Sequence, residues 1–520
     1  MLMAVIAQFG FAQIITNTQI ESSEIKSSDR RITLDKRAFT NAIYSNNKTD
    51  DIFISIPYIS IEPVLLKPYH VVSESLLSQQ SDIRVYRYSE GQDHGIITIT
   101  NDYIYISNNN LHNPIMISPD FESENSYILS TNGTKEVTDG FNMCGNTNDS
   151  RHSNNHGSTL ADVRDLKSFG SELRIYDLAL VVTGEYFQAN GNTNNTVRPH
   201  AINAAANISD IFTIDLSVMF NVVDVKLNNN PATDNFDPSL ERTQQAHDEI
   251  VAQYPLDSYD IGHVFHNHQD GDGWSTGGVA QTPAVCVDFE EFKARGWSGS
   301  FNNNTVGWIQ LAAHEFGHMF GANHTFNGSG DLACSGAIDQ NAAYEIGSGT
   351  TIMSYNDLCE DDQNIPSSGE ADSYFHVHSL LQMMSHIEST DCATISNSFS
   401  NTPPEIEVNP CNLSYQIPRG TPFIMSAEGS DADGDLVEYT WEQYDEDGAG
   451  TPTIGDVGSA AAGNTVGPLF RSFPPTPEIS RSFPDRNTVI SGNASDPFQV
   501  LPGVQRILLM MCLMPQLLRW

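Results

Sequence analysis

Basic residues are scarce in this 520-residue chain: 25 Lys and Arg stand against 65 Asp and Glu, a formal net charge of −40. With so few cations to neutralise phosphates, the balance argues against a nucleic-acid partner. The same deficit argues against an anionic membrane surface. No run beyond the first residues reaches the roughly 18 apolar residues of a bilayer-spanning helix, so no membrane span is expected. C-x-x-C pairs are absent among the seven cysteines, Cys144, Cys286, Cys334, Cys359, Cys392, Cys411 and Cys512. That absence argues against zinc ribbons and thioredoxin-like redox motifs. Wide spacing instead suits disulfides in an exported chain, with at least one thiol left over. What the chain does have is apolar material: 39% of residues, with 25 Phe and 18 Tyr, enough for packed cores and against disorder. The length implies about three domains rather than one core.

Composition shifts divide the chain. Residues 1–12 are mostly apolar and uncharged, with Gly10 and Ala12 as small residues before a cut. They read either as a partial signal peptide lacking its basic start or as a buried strand, and secretion is the expectation. Residues 13–165 alternate like strands. Gly95–Thr100 and Tyr103–Ser107, joined by Asn101-Asp102, predict a hairpin. From 171 to 395 strands alternate with helices, which predicts an α/β domain. Strands are expected at Leu173–Val182, Met219–Val223 and Tyr259–Phe265, and helices at Ala204–Phe220, Arg242–Tyr254 and Gly307–Met319. After Pro403-Pro404, residues 402–500 carry short strand-like runs such as Phe423–Ala427 and Leu436–Trp441, which predict an all-β sandwich. Asp431-Ala432-Asp433-Gly434-Asp435 is either a calcium loop or an acidic turn. Residues 501–520 contain no Asp or Glu and end in an apolar run. They read as a frameshifted or truncated end, or as an interaction tail.

The densest signal lies at His314-Glu315-Phe316-Gly317-His318-Met319-Phe320-Gly321-Ala322-Asn323-His324. Two histidines four apart on a helix share one face and can reach one metal ion. A glycine three residues later can take a positive φ, end the helix and return a third histidine to the same ion. Three neutral imidazoles leave a tetrahedral zinc ion one open position for water. Glu315, next to the first histidine, is placed to take that water's proton. About thirty residues on comes Ile352-Met353-Ser354-Tyr355. His-Glu-x-x-His-x-x-Gly-x-x-His followed by a methionine turn resembles the metzincin zinc peptidases. Within them the chain is similar to bacterial secreted reprolysin-like peptidases, relatives of the snake-venom and ADAM metalloproteases. Tyr259–Phe265, Gly277-Gly278-Val279-Ala280 and Lys293-Ala294-Arg295-Gly296 also fit that group.

The resemblance covers about 171–395. It implies one catalytic zinc held by His314, His318 and His324, Glu315 as general base, and Met353 packed beneath the imidazoles. It further implies protein or peptide substrates, a secreted, monomeric enzyme, and a β-rich prodomain at 13–165. Gly277–Ala280 would belong to an edge strand that holds extended substrate. Disulfides Cys334–Cys359 and Cys286–Cys392 follow from the same likeness. Asp177 and Asp260 correspond loosely to calcium ligands of some members, or are ordinary surface carboxylates. Met143-Cys144-Gly145 resembles a cysteine switch, with a structural disulfide to Cys411 as the other reading. Thr325 departs from the Asp usual after the third histidine, and His324-Thr325-Phe326 is also similar to pappalysins. Tyr355 stands where astacins and serralysins place a tyrosine that reaches zinc. It reads as a fifth ligand, an oxyanion donor or a packed ring. His263, His266 and His268, and His376 and His378, read as polar loop residues in preference to a second metal site. The rival classes are a catalytically silent binding or adhesion protein and a non-peptidase zinc hydrolase.

Overall fold

The structure is a computed structural model that describes Ile15–Thr16 and most of residues 30–131 and 170–483. Residues 1–14, 17–29, 132–169 and 484–520 lie outside the described residues, as do shorter stretches that include 270–276, 360–371, 409–421 and 445–467. The expected leader at 1–12, Cys144, Cys411, Cys512 and the tail at 501–520 all fall there.

The N-terminal region is one antiparallel sheet of nine strands: β1 (Ile15–Thr16), β2 (Arg30–Leu34), β3 (Ile52–Ile54), β4 (Val64–Pro68), β5 (Arg84–Glu90), β6 (Asp93–Ile99), β7 (Ile104–Asn108), β8 (Ile115–Pro119) and β9 (Ser126–Thr131). Their order is β1-β2-β9-β8-β7-β6-β5-β4-β3. The expected hairpin is β6–β7, with Ile99 opposite Ile104 and Thr100 N–H donating to Tyr103 O at 2.8 Å. Alternating residues such as Leu66, Ile97, Ile104 and Ile117 bury one face under α1 (Lys36–Ser45). A short helix α2 (Glu74–Gln79) follows β4.

The second sheet combines β10 (Arg174–Val182), β11 (Val218–Leu227), β12 (Ile261–Asn267), β13 (Gly278–Ala280) and β14 (Gly296–Ser300) in the order β11-β10-β12-β14-β13. All neighbours are parallel except β13, which runs antiparallel to β14 at one end of the order. A two-residue β15 (Thr394–Ile395) pairs with the start of β10. The unbroken apolar run Leu178–Val182 in β10 is explained by burial on both faces. Leu178, Leu180 and Val182 join one apolar cluster, while Ala179 and Val181 join another. The first cluster includes α3 (Gly184–Ala189), α4 (Asn194–Leu216), α6 (Val306–Met319) and α7 (Val377–Glu388), and the second includes α5 (Thr243–Val251). The α/β expectation therefore matches the architecture.

Element ends moved where local chemistry outweighed pattern. Helix α4 begins ten residues before the expected start, because Thr193 and Thr196 cap it reciprocally ahead of Pro199. It stops at Ser217, which takes a left-handed φ of 54°. Leu436–Trp441 is not a strand; only Tyr439 makes an isolated bridge, to Thr476. The following residues turn to the second sheet's domain, where Glu442 Oε2 accepts the Val377 N–H at the start of α7 (2.7 Å). The described part of 402–500 contains two two-stranded ladders. These are β16 (Glu405–Val408) with β18 (Glu428–Ser430), and β17 (Phe423–Ser426) with β19 (Ser480–Phe483). In the acidic stretch, Asp431 Oδ1 accepts the N–H groups of Asp433 and Asp435, and Gly434 has φ +85°. This is the bonding of a turn.

Candidate metal centre

Helix α6 starts with Thr305, whose hydroxyl accepts the Trp308 N–H at 3.1 Å. Its last residue is Met319. Gly321 follows with φ +102°, and its N–H donates to His318 O (2.8 Å). The chain then reverses and brings His324 against His314 and His318. The ring centroids of the three lie 4.7–5.2 Å apart, and one ring nitrogen from each falls within 4.8 Å of the others. All three are buried. Among the described residues this is the one group of three or more His, Cys, Asp or Glu side chains so converged.

The remaining ring nitrogens decide what the cluster can hold. Nδ1 of His314 lies 2.7 Å from Ile352 O, that of His318 2.7 Å from Ala322 O, and that of His324 2.7 Å from Ala337 O. A carbonyl only accepts, so each Nδ1 carries the proton and each Nε2 presents a lone pair. Nε2 of His318 and His324 are 3.1 Å apart. Two lone pairs at that separation repel, and a cation between them removes the conflict. Burial pushes His318 well below the usual imidazole value, with His314 and His324 adding to it; burial likewise holds His324 down to about 4. Both shifts favour the neutral His318 and His324 rings, the state a metal needs. These donors fit zinc, which takes three imidazoles and keeps a further position open.

Met353 lies under the helix. A Cβ built on Gly317 would stand 2.4 Å from Met353 Sδ, so the glycine between the two helical histidines is what lets the thioether approach. Met353 O also accepts the Thr325 N–H at 3.1 Å. Tyr355 is buried, its ring stacked on Phe326 (4.4 Å) and edge-on to His324 (4.7 Å). Glu315 is fully buried and faces β13: a Cβ on Gly278 would meet Glu315 Cγ and Trp297 O, each at 2.7 Å. We expect Gly278→Ala to lower stability by about 1–3 kcal/mol, since a backbone oxygen cannot swing aside. Chemical denaturation would measure this, and an unchanged midpoint would disprove the close approach.

Other expected site residues fall elsewhere. Asp177 and Asp260 neighbour each other on β10 and before β12, but one carboxylate oxygen of each is engaged within the protein. Asp260 Oδ2 accepts the Asp177 N–H (2.8 Å), and Asp177 Oδ1 accepts from Asn221 Nδ2 (2.6 Å). No third carboxylate joins them among the described residues, so calcium gains no support. The five other histidines are buried rather than solvent-facing. His263 and His266 lie within β12, His268 directly follows it, and His376 and His378 sit at the start of α7; all five are buried. Hydroxyl partners make this burial tolerable: Ser298 for His263 (2.9 Å), Thr183 for His266 (2.9 Å) and Tyr444 for His378 (2.9 Å).

Glu345 was missed from sequence. Its buried carboxylate accepts from Thr325 Oγ1 (2.6 Å), Thr351 Oγ1, Thr350 N (2.9 Å) and Thr351 N (3.2 Å). It thus ties the residue after His324 to the turn carrying Met353. The signal was available: Glu345 is the sole charge between Asp339 and Asp357, amid Gly, Ser, Thr and apolar residues. Both disulfides implied by the resemblance are present, Cys286–Cys392 and Cys334–Cys359.

A family model described as metallo-peptidase family M12B, reprolysin-like, matches residues 200–325, which span α4 to the third histidine. The segment is reprolysin-like. No curated protein matches the chain. Among solved structures, metalloproteinase-II from Bacteroides fragilis aligns at 10% identity over 65% of this chain and 90% of that one, with a TM-score of 0.35. A likeness that faint carries no weight for activity. The reprolysin-like match supports a metallopeptidase with a zinc cofactor and protein substrates. No helix among the described residues is long and apolar enough to cross a membrane.

Proposed function

We propose that this chain is a secreted zinc-dependent endopeptidase whose ligands are His314, His318 and His324 and whose general base is Glu315. The observation that carries the reading is the set of three buried imidazoles, each fixed by a carbonyl at Nδ1 so that Nε2 faces a common point. Zinc bound there supplies a Lewis acid that polarises the scissile carbonyl and acidifies water. Glu315 takes the proton of the attacking water and delivers it to the leaving amine. No Ser or Cys nucleophile is required. Strand β13, at the end of the sheet beside Glu315, orients an extended substrate by strand addition. Met353 supports the imidazoles from below, and Tyr355 is assigned no chemical step. Two disulfides suit an oxidising compartment.

Metal analysis combined with cleavage of an unstructured protein, with and without chelator, tests this. One zinc per chain and chelator-sensitive cleavage are expected. Full zinc occupancy without cleavage, after the chain is cut between residues 131 and 170, would favour a silent binding protein instead. Cys144 is the proposed brake, a thiolate able to fill the open zinc position before processing. The uncut Cys144→Ala chain should then be more active than the uncut parent, and equal activities would dismiss the switch.

A further inference from the structure

The N-terminal sheet meets the second sheet's domain through a built interface. Asn203, Asn207 and Asp210 fall on one stripe of α4, and each has a partner on the N-terminal sheet. Thr98 Oγ1 donates to Asn203 Oδ1 (3.0 Å), and Ser107 Oγ donates to Asn207 Oδ1. The Asp210 carboxylate, wholly buried, bonds Arg87 Nε (2.6 Å), His94 Nδ1 (3.0 Å) and Asn109 Nδ2 (2.8 Å). Burial opposes its charge, but Arg87 and His94 hold it well below the usual carboxylate range. Tyr69 OH lies 2.9 Å from Ser209 Oγ and 3.0 Å from Thr213 Oγ1.

The contact is more than polar. Val71, Val72, Leu76, Val85 and Ile96 belong to the same apolar cluster as Leu178, Phe212 and Phe316. Val72 forms a parallel bridge with Val222 on the outer edge of β11; Val222 N–H donates to Val71 O (2.8 Å) and Ser73 N–H to Val222 O (3.1 Å). The N-terminal region thus closes one edge of the second sheet and contributes to its core. Strand β13, beside Glu315, is at the opposite end of the strand order from β11.

We propose that the N-terminal sheet is a permanent non-covalent subunit of the second domain, which stays docked on α4 and β11 after the chain between residues 131 and 170 is cut. Latency, if relieved by such a cut, is relieved without departure of the sheet, because the docked surface lies away from the β13 edge. Separation would expose the shared apolar cluster and strip Asp210 of three donors at once, which makes dissociation slow.

The test places a specific protease site between residues 131 and 170 of the full chain. After cutting, size exclusion with mass spectrometry should find both pieces in one 1:1 species, and separate elution in native buffer would overturn the proposal. Amide exchange across Asn203–Asp210 should be the same before and after the cut; a loss of protection there would also overturn it. In the cut protein Asp210→Asn should speed release by at least about tenfold. Should that variant not fold, Thr98→Val removes a single partner more gently. A folded variant of either kind that releases the sheet no faster than the parent would refute this docking surface. Retention is read by mass, so it stands or falls independently of peptidase activity.

Discussion

Glu315→Ala should retain one zinc per chain yet lose about 10²–10⁴-fold in kcat/KM, the usual contribution of a positioned acid–base group. Retention is expected because the three imidazoles are each held by backbone carbonyls of Ile352, Ala322 and Ala337, none of which involves Glu315. Loss of activity is expected because Glu315 is the carboxylate on α6 between the histidine cluster and β13. Its Cγ lies so close to Gly278 that no side chain fits between them. Glu315→Gln separates chemistry from packing, since it keeps the shape and loses the base. Zinc content by elemental analysis and steady-state cleavage of an unstructured protein measure both properties. A zinc-loaded Glu315→Ala enzyme at parental rate would end the general-base assignment.

Glu345→Ala should destabilise the protein by about 3–5 kcal/mol. Four buried donors lose a shared acceptor, and each such loss costs about 1–3 kcal/mol before water and rotating hydroxyls recover part of it. Because three of the donors, on Thr350 and Thr351, come just before Met353 and one, on Thr325, follows His324, weaker zinc retention should accompany the loss of stability. Denaturant titration of the chelated protein isolates the stability effect, and competition with a zinc chelator isolates the affinity effect. Glu345→Gln keeps one acceptor oxygen and should fall between the two. Parental stability in Glu345→Ala would show that the Thr325–Glu345–Thr351 bonds do not hold the site together.

The zinc-binding pattern was legible because helical spacing converts directly into geometry: positions 314 and 318 must share a face. Gly321 was legible for a similar reason, as a sharp return after α6 needs a positive φ that glycine adopts without penalty. The β6–β7 hairpin and the buried run of β10 were readable from alternation and from its absence. Less was readable where a distant segment supplies the partner. The buried histidines of β12 looked like loop residues because Thr183 and Ser298, which satisfy them, come from other elements. Leu436–Trp441 alternates like a strand, yet among the described residues it makes only the Tyr439–Thr476 bridge, and Glu442 accepts a bond at the start of α7. The early start of α4, ten residues ahead of the expected one, depended on the Thr193–Thr196 cap, a short signal.

By itself the sequence determined the histidine spacing, the carboxylate beside the first histidine and the distance to Met353, because helix and turn geometry act over a few residues. The tertiary structure alone decided that each Nδ1 meets a carbonyl, that Gly278 presses on Glu315, that Glu345 links the third histidine to the methionine turn, and that the N-terminal sheet closes the β11 edge. Each joins groups that no local periodicity relates, so only the packed chain brings them together.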